Sequence, residues 1–272
     1  MRLNKNMFSL NIYKNYKKNV TSASGNLNNI SSGLKLEMAK NNPGKIAQSE
    51  SLKIQTISNS AAQRNIQNTV SMLQTVDTAM QEINNNLIRS KELSVQACNG
   101  TLSEDDRKSI QDEINQINDN INYISNNTHF NGVKLLNGTG CINTMTGSFS
   151  GEGIKIEKSN LTIIGLGIKD LNVGTIKDAS NSLNDIETAI GIVSNARSKY
   201  GALQSTLETT QENMNEINLT LKKSQSKIAD ANVAEEMVNL SKSQIIIQSA
   251  AALMAQSNQL PQDALQVLAN IK

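Results

Sequence analysis

The 272-residue chain is long enough for about two domains, and its formal charge of +2, spread over intermixed Lys, Arg, Asp and Glu, excludes a strongly basic or acidic surface as its organising feature. Hydrophobic residues make up 38% but aromatics only 3%, with no Trp. Buried area must therefore come from Leu, Ile, Val, Met and Ala, the vocabulary of helix–helix seams, and 2 Pro leave room for long uninterrupted helices. No run of about 18 apolar residues is present, which excludes a transmembrane helix.

The first stretch carries a sparse apolar stripe, Leu3, Met7, Leu10, Val20, Leu27, Ile30 and Leu34. Its basic cluster, Lys14, Lys17 and Lys18 with Tyr13 and Tyr16, reads as a solvated helix face in preference to a nucleic-acid or membrane patch. The opening Met1-Arg2-Leu3-Asn4-Lys5-Asn6 lacks the apolar core and small-residue cleavage site of a secretory signal, so no cleaved signal peptide is expected. Asn42-Pro43-Gly44 breaks the stretch, because Pro removes a backbone donor and Gly tolerates positive φ.

A second helical run follows with Ile66, Val70, Leu73, Met80, Ile83 and Leu87, and Asp77 occupies one position of its seam. It ends at Asn99-Gly100-Thr101, and Ser103 then caps a new helix whose first turn holds Glu104, Asp105 and Asp106, where the helix dipole favours them. Ile110, Ile114, Ile117, Ile121 and Ile124 alternate steps of four and three, the coiled-coil spacing of about 3.5 residues. After Thr128 the character changes. Short β-like segments, Gly153–Glu157 and Leu161–Ile164, alternate with Gly and predict a small β-hairpin tip over 139–175 that points outward. A third seam runs from Leu183 through Ile186, Ile190, Val193, Tyr200, Leu203, Leu207, Met214, Ile217 and Leu221 to Ile228, interrupted by Arg197, Thr210 and Ser224. A fourth takes Val233, Met237, Leu240, Ile247, Ala251 and Met254, with Gln244 at a seam site. These runs exceed the mean helix of about 11–12 residues. Each leaves a narrow apolar stripe that must find a partner helix, since burying one Leu or Ile is worth roughly 1.5–3 kcal/mol. The fold class expected is mainly α: long antiparallel helices in a coiled-coil bundle with a small β-hairpin region. The chain goes out, turns and returns, so its two ends should lie together.

Catalytic chemistry finds no support. His129 has no motif partner for a zinc site or a Ser–His arrangement. Gly165-Leu166-Gly167 lacks the third Gly and following helix of a dinucleotide loop, and no GK[ST] phosphate loop occurs. Cys98 and Cys141 form no CxxC pair, and either two separate thiols or one disulfide fits the sequence. No cofactor or metal is expected.

Several words in order resemble the bacterial flagellins. Asn6-Met7-Phe8-Ser9-Leu10-Asn11 is similar to the family's N-x-x-[AS]-L-N start, and Leu27-Asn28-Asn29-Ile30-Ser31-Ser32-Gly33-Leu34 to its L-x-x-L/I-S-S-G segment. Gln63–Asn68 with Ser71–Thr75, Glu92–Ala97 and Phe130-Asn131-Gly132 continue the match. Ala255-Gln256-Ser257-Asn258-Gln259 with Pro261-Gln262 resembles the A-Q-A-N-Q-x-P-Q signature. The resemblance covers about 1–138 and 176–272. It departs from the family at Ala39–Gly44, in the basic first helix, and at Val267–Lys272.

The resemblance implies a filament subunit exported through the flagellar channel to the extracellular flagellum, without a large outer domain. Its expected parts are an N-terminal inner-core helix (1–44), two halves of a helical bundle (45–138 and 176–228), a short variable tip (139–175) and a C-terminal inner-core helix (229–272). Assembly is expected to use Leu3, Leu10, Leu27, Ile30 and Leu34 at one end and Leu253, Met254, Leu265 and Leu268 at the other. Both ends are expected to stay frayed in a free chain and to order only against neighbouring subunits. Implied partners are copies of the chain itself, an export chaperone at the C-terminal segment, and hook-junction and cap proteins. The family's contact with the vertebrate Toll-like receptor that senses flagellin falls on Arg89, Leu93 and Glu113. Here Ile88 and Lys91 depart from the usual Q-R-x-R-E-L. Neither nucleic acid nor membrane is an expected partner. The competing readings are a divergent minor flagellin and a helical coiled-coil signalling or adaptor protein. An inserted protease would need an H-E-x-x-H helix, and His129 stands alone.

Overall fold

The computed structural model describes residues 7–36, 42–149 and 151–269, excluding the side chains of 260, 261, 263–265 and 267–269. Five helices dominate: α1 (Met7–Ser32), α2 (Pro43–Ala97), α3 (Glu104–Asn127), α4 (Ile176–Ala229) and α5 (Val233–Ala269). Four short strands lie between α3 and α4: β1 (His129–Phe130), β2 (Val133–Lys134), β3 (Cys141–Met145) and β4 (Gly153–Glu157). They form two separate antiparallel pairs, β1 with β2 and β3 with β4. The mainly α class with small hairpins matches the sequence expectation.

The chain divides into two compact units, one made of residues 1–54 with 220–272 and the other of 55–219. In the second unit the seams pack as antiparallel helices. Lys91 pairs with Glu187, Asp77 with Arg197 and Gln63 with Asn215, so residue numbers rise on α2 as they fall on α4. The fully buried side chains include Ile66, Leu73, Met80, Ile83 and Leu87 from α2, Ile114 and Ile121 from α3, and Ile186 and Leu207 from α4. Asp77 and Arg197, each of which interrupts an apolar seam, meet one another through Nε–Oδ1 at 2.9 Å and Nη2–Oδ2 at 3.3 Å. The Asp77 hydrogen bond holds the Arg197 guanidinium above its ordinary pKa. Both groups remain partly exposed, so the pair helps fix register and adds little to stability.

The start of α3 follows the cap that its sequence implies. Ser103 Oγ accepts from the Asp106 N–H at 3.2 Å, and the Asp106 carboxylate accepts from the Ser103 hydroxyl at 2.8 Å and from its N–H at 3.2 Å. These bonds, the hydroxyl's first, pull the Asp106 carboxyl below its usual pKa. A depressed carboxylate adds stability that is present above its unfolded pKa and lost as pH falls through the folded one. The cap therefore weakens only in acid.

The segment after the hairpins differs from expectation. Leu161–Ile164 is not a strand but the start of a turn-rich path along the helices. Ile156, Leu161, Leu166, Ile168, Leu171 and Val173 are all buried in the core of this unit. Side chains on neighbouring helices take up its backbone polar groups. Gln111 donates to Leu171 O at 2.9 Å and accepts from Val173 N at 2.8 Å, Asn118 donates to Ile168 O, and Ser182 bonds both the N–H and the O of Asn172. Within the stretch expected as an outward tip over 139–175, these six side chains pack inward, while Ile164 stays 73% exposed. The alternation of Leu and Ile with Gly marked irregular but buried backbone, which its helix-borne polar partners make affordable.

In the first unit α1 stops at Ser32, earlier than the Asn42-Pro43-Gly44 break. Gly33 takes φ 71°, the left-handed C′ position that ends helices, and its N–H bonds Asn29 O at 2.9 Å. Pro43 instead opens α2, where a missing N–H costs nothing, and Asn42 Oδ1 accepts from Lys45 N at 3.3 Å. Residues 37–41 lie outside the described residues.

Candidate functional site

Two surfaces carry the residues that the sequence singled out. The first is formed by the terminal helices. α1 and α5 pack along one another, and Ser9 meets Asn258, Asn29 meets Glu236 and Leu34 bridges Asp230, so they run antiparallel. Backbone bonds close the pair at one end, Lys35 N to Ala229 O at 2.7 Å and Ala231 N to Gly33 O at 2.9 Å. The two ends thus pair within one chain. The pairing is thin: no described side chain of α1 is buried.

The reason lies in which residues face inward. The less exposed positions of α1 are Ser9, Ile12, Tyr16, Asn19, Ala23, Asn26, Asn29 and Ile30, at coiled-coil spacing apart from Asn29 but half polar. On α5 they are Glu236, Leu240, Ser243, Ile246, Ile247, Ala250, Met254 and Ser257, so the stripe shares Leu240, Ile247 and Met254 with the expected seam and otherwise lies one residue away. Small Ser243, Ala250 and Ser257, each seven residues apart, were the overlooked signal.

The larger apolar side chains are left in solvent. On α1 these include Phe8 at 62% exposure, Leu10, Tyr13, Val20 and Leu27 at 56%. On α5, Met237, Val238 at 68%, Ile245 and Leu253 are exposed, and a groove lined by Met237, Val238, Ser241, Lys242, Ile245 and Ile246 runs along the helix. Of the expected assembly residues, Leu10, Leu27, Leu34 and Leu253 are exposed, and Ile30 and Met254 are half-buried. Leu3 lies outside the described residues, as do the side chains of Leu265 and Leu268. Ile245 belongs to the apolar stripe read from the sequence, whereas Val238 was not singled out in advance, because a seam search discards apolar residues that fall off the main stripe.

The second surface is an ion-pair cluster joining α2 and α3. Arg89 reaches Glu113 through Nη2 at 2.8 Å and Nε at 3.0 Å, and Glu92 through Nη1 at 3.2 Å. Glu113 first, then Glu92, holds this guanidinium above its ordinary pKa. Leu93 does not join them. At 2% exposure it belongs to the core, on the inward face of α2 with the buried Ser90, Ser94 and Ala97.

No clustering of catalytic groups accompanies these surfaces among the described residues. His129 Nδ1 lies 2.6 Å from Asn127 O at the end of α3. Cys98 and Cys141 are free thiols, the first half-buried and the second exposed. No described helix is long and apolar enough to cross a membrane.

Comparison with known proteins accounts for the arrangement. The bacterial flagellin N-terminal helical region matches residues 3–140, and the bacterial flagellin C-terminal helical region matches 183–268. A flagellin of Halalkalibacterium halodurans is 32% identical over 98% of this chain and 100% of its own length. A flagellin of Bacillus subtilis is 34% identical over 98% of this chain and 100% of its own length. The crystal structure of Bacillus cereus flagellin superposes with a TM-score of 0.50 at 28% identity, covering 56% of this chain and 88% of that one. Matches at both ends, in order and over nearly the full length, remove the signalling-protein alternative. The chain belongs to the bacterial flagellin family, as a short form without a large outer domain, and is a structural subunit of the flagellar filament rather than an enzyme.

Proposed function

We propose that the exposed apolar faces of α1 and α5 are the surfaces through which subunits join in the filament, and that motility depends on the resulting tube. One observation carries the reading: the pair formed by these helices leaves Phe8, Leu10, Leu27, Val238, Ile245 and Leu253 in water. Large apolar side chains concentrated on one helical pair mark an interaction surface, whereas scattered single ones need no explanation. Burying each against a neighbour is worth roughly 1.5–3 kcal/mol, and the gain repeats along a growing polymer. Leu3, Leu265 and Leu268 extend the same stripes in sequence.

The test introduces charge on these faces. Leu27→Lys and Leu253→Lys are expected to leave the monomer's helical content unchanged and to raise the subunit concentration needed for polymerisation at least several-fold, read by sedimentation. Unchanged polymerisation by both variants would remove these faces from the interface. The same α5 face is the binding surface proposed for an export chaperone, which would keep the segment from premature assembly. Hook-junction and cap proteins would meet the tube's ends through equivalent surfaces.

The family resemblance also supports recognition by the Toll-like receptor that senses flagellin, through the expected Arg89, Leu93 and Glu113, of which Arg89 and Glu113 are exposed. Arg89 is tied to two carboxylates, and the Lys91 position offers a compact ammonium where the family has a bidentate guanidinium. Receptor signalling by the monomer is therefore expected to be weak and to fall further in Arg89→Ala. Equal reporter signals from the two proteins would exclude Arg89 as a contact.

A further inference from the structure

Three Asn-Gly pairs occur in the chain: Asn99-Gly100, Asn131-Gly132 and Asn137-Gly138. Asn followed by Gly is chemically labile, because a glycine N–H without a flanking side chain can attack the asparagine carboxamide. Whether it does so in a folded protein depends on how firmly the amide and backbone are held, and the three sites differ sharply.

Asn99 is anchored. Its Oδ1 accepts from Thr101 N at 3.2 Å, and its carbonyl accepts from the Arg107 guanidinium at 2.9 Å and from Leu102 N. Asn137 is half-buried, and its Nδ2 donates to Asn126 Oδ1. Asn131 is exposed, and among the described residues its carboxamide has no hydrogen-bond partner. It forms with Gly132 the two-residue loop between β1 and β2, at φ 48° and 78°. Both strands are only two residues long, so the ladder that confines this loop is among the cheapest in the unit to open. A Cβ added at Gly132 or at Gly138 would meet nothing within 4 Å, so it is the hydrogen bonds, not the space, that set Asn131 apart.

We propose that Asn131 is the chain's site of spontaneous deamidation and isoaspartate formation. The Gly132 nitrogen, losing its proton to solvent base, attacks Asn131 Cγ; the C–N bond of the carboxamide breaks and ammonia leaves. Water then opens the resulting succinimide at either carbonyl, giving aspartate or isoaspartate with no redox change. Either product lowers the net charge of +2 by one. Isoaspartate also routes the backbone through the side-chain carbon, and a two-residue loop that pairs Phe130 with Val133 cannot keep its register with the extra methylene. The modification would mark aged subunits and loosen the packing of Phe130 against the core.

Cleavage after Lys and Arg separates the three sites onto peptides 92–107, 109–134 and 135–155. The full chain is incubated folded, and in parallel in denaturant, at mildly alkaline pH, and each peptide is followed by mass spectrometry and by enzymatic isoaspartate labelling. In the folded protein, 109–134 is expected to gain the deamidation mass several-fold faster than the other two, and the three rates should converge in denaturant. Asn131→Asp should abolish the further gain on 109–134. Equal rates in the folded chain, earlier reaction at 92–107 or 135–155, or a gain that persists in Asn131→Asp would overturn the assignment.

Discussion

Deleting residues 233–272 is expected to abolish filament formation while leaving the unit of residues 55–219 folded. The deletion removes α5, against which α1 packs, together with the exposed Met237, Val238, Ile245 and Leu253. A 26-residue helix with no buried side chain has little to hold it once its partner is gone, because most helical stability in proteins comes from packing. The core of the other unit lies wholly within 55–219 and should be untouched. Circular dichroism should still show a cooperative thermal transition from the truncated chain, and electron microscopy should show no tubes. Tubes formed by the truncated chain would refute the assembly role of α5. Loss of the cooperative transition would show instead that the core depends on α5.

Replacing residues 153–173 with a short Gly/Ser linker is expected to destroy the cooperative unfolding of that same unit. The replacement takes away Ile156, Leu161, Leu166, Ile168, Leu171 and Val173, all buried. At roughly 1.5–3 kcal/mol for each side chain, the loss exceeds most of the 5–15 kcal/mol or so that holds a typical domain together. It also strands Gln111, Asn118 and Ser182, whose polar groups now bond the segment's backbone, and leaves Tyr200 Oη without Glu157 O at 2.7 Å. An unchanged melting temperature would show that the segment is a dispensable tip after all.

That segment also shows where reading the sequence stops. The helices were legible because a seam such as Ile110, Ile114, Ile117, Ile121 and Ile124 repeats, and repetition survives without knowledge of the partner. Even the seam's defects were informative, since Asp77 and Arg197 proved to be each other's partners across 120 residues. Leu161–Val173 has no period. Its burial depends on helix side chains that lie about 60 residues away in sequence, as Gln111 does from Leu171. At the end of the third seam Ile217 was assigned inward, yet Asn218 is buried and Ile217 exposed. Asn218 donates to Ser60 Oγ at 3.0 Å, a polar pairing that an apolar search cannot see. The candidate site was legible in a different degree. Motif resemblance reached Arg89 and Glu113, which the structure brings together, but could not separate them from buried Leu93, because a motif records residue types and not the face they occupy.

Polymerisation of this chain through its terminal helices can be seen by negative-stain electron microscopy of the purified full-length chain under salting-out conditions, which strengthen apolar burial. Long tubes of uniform diameter are the predicted result, and dispersed rods with no tubes at any subunit concentration would contradict it.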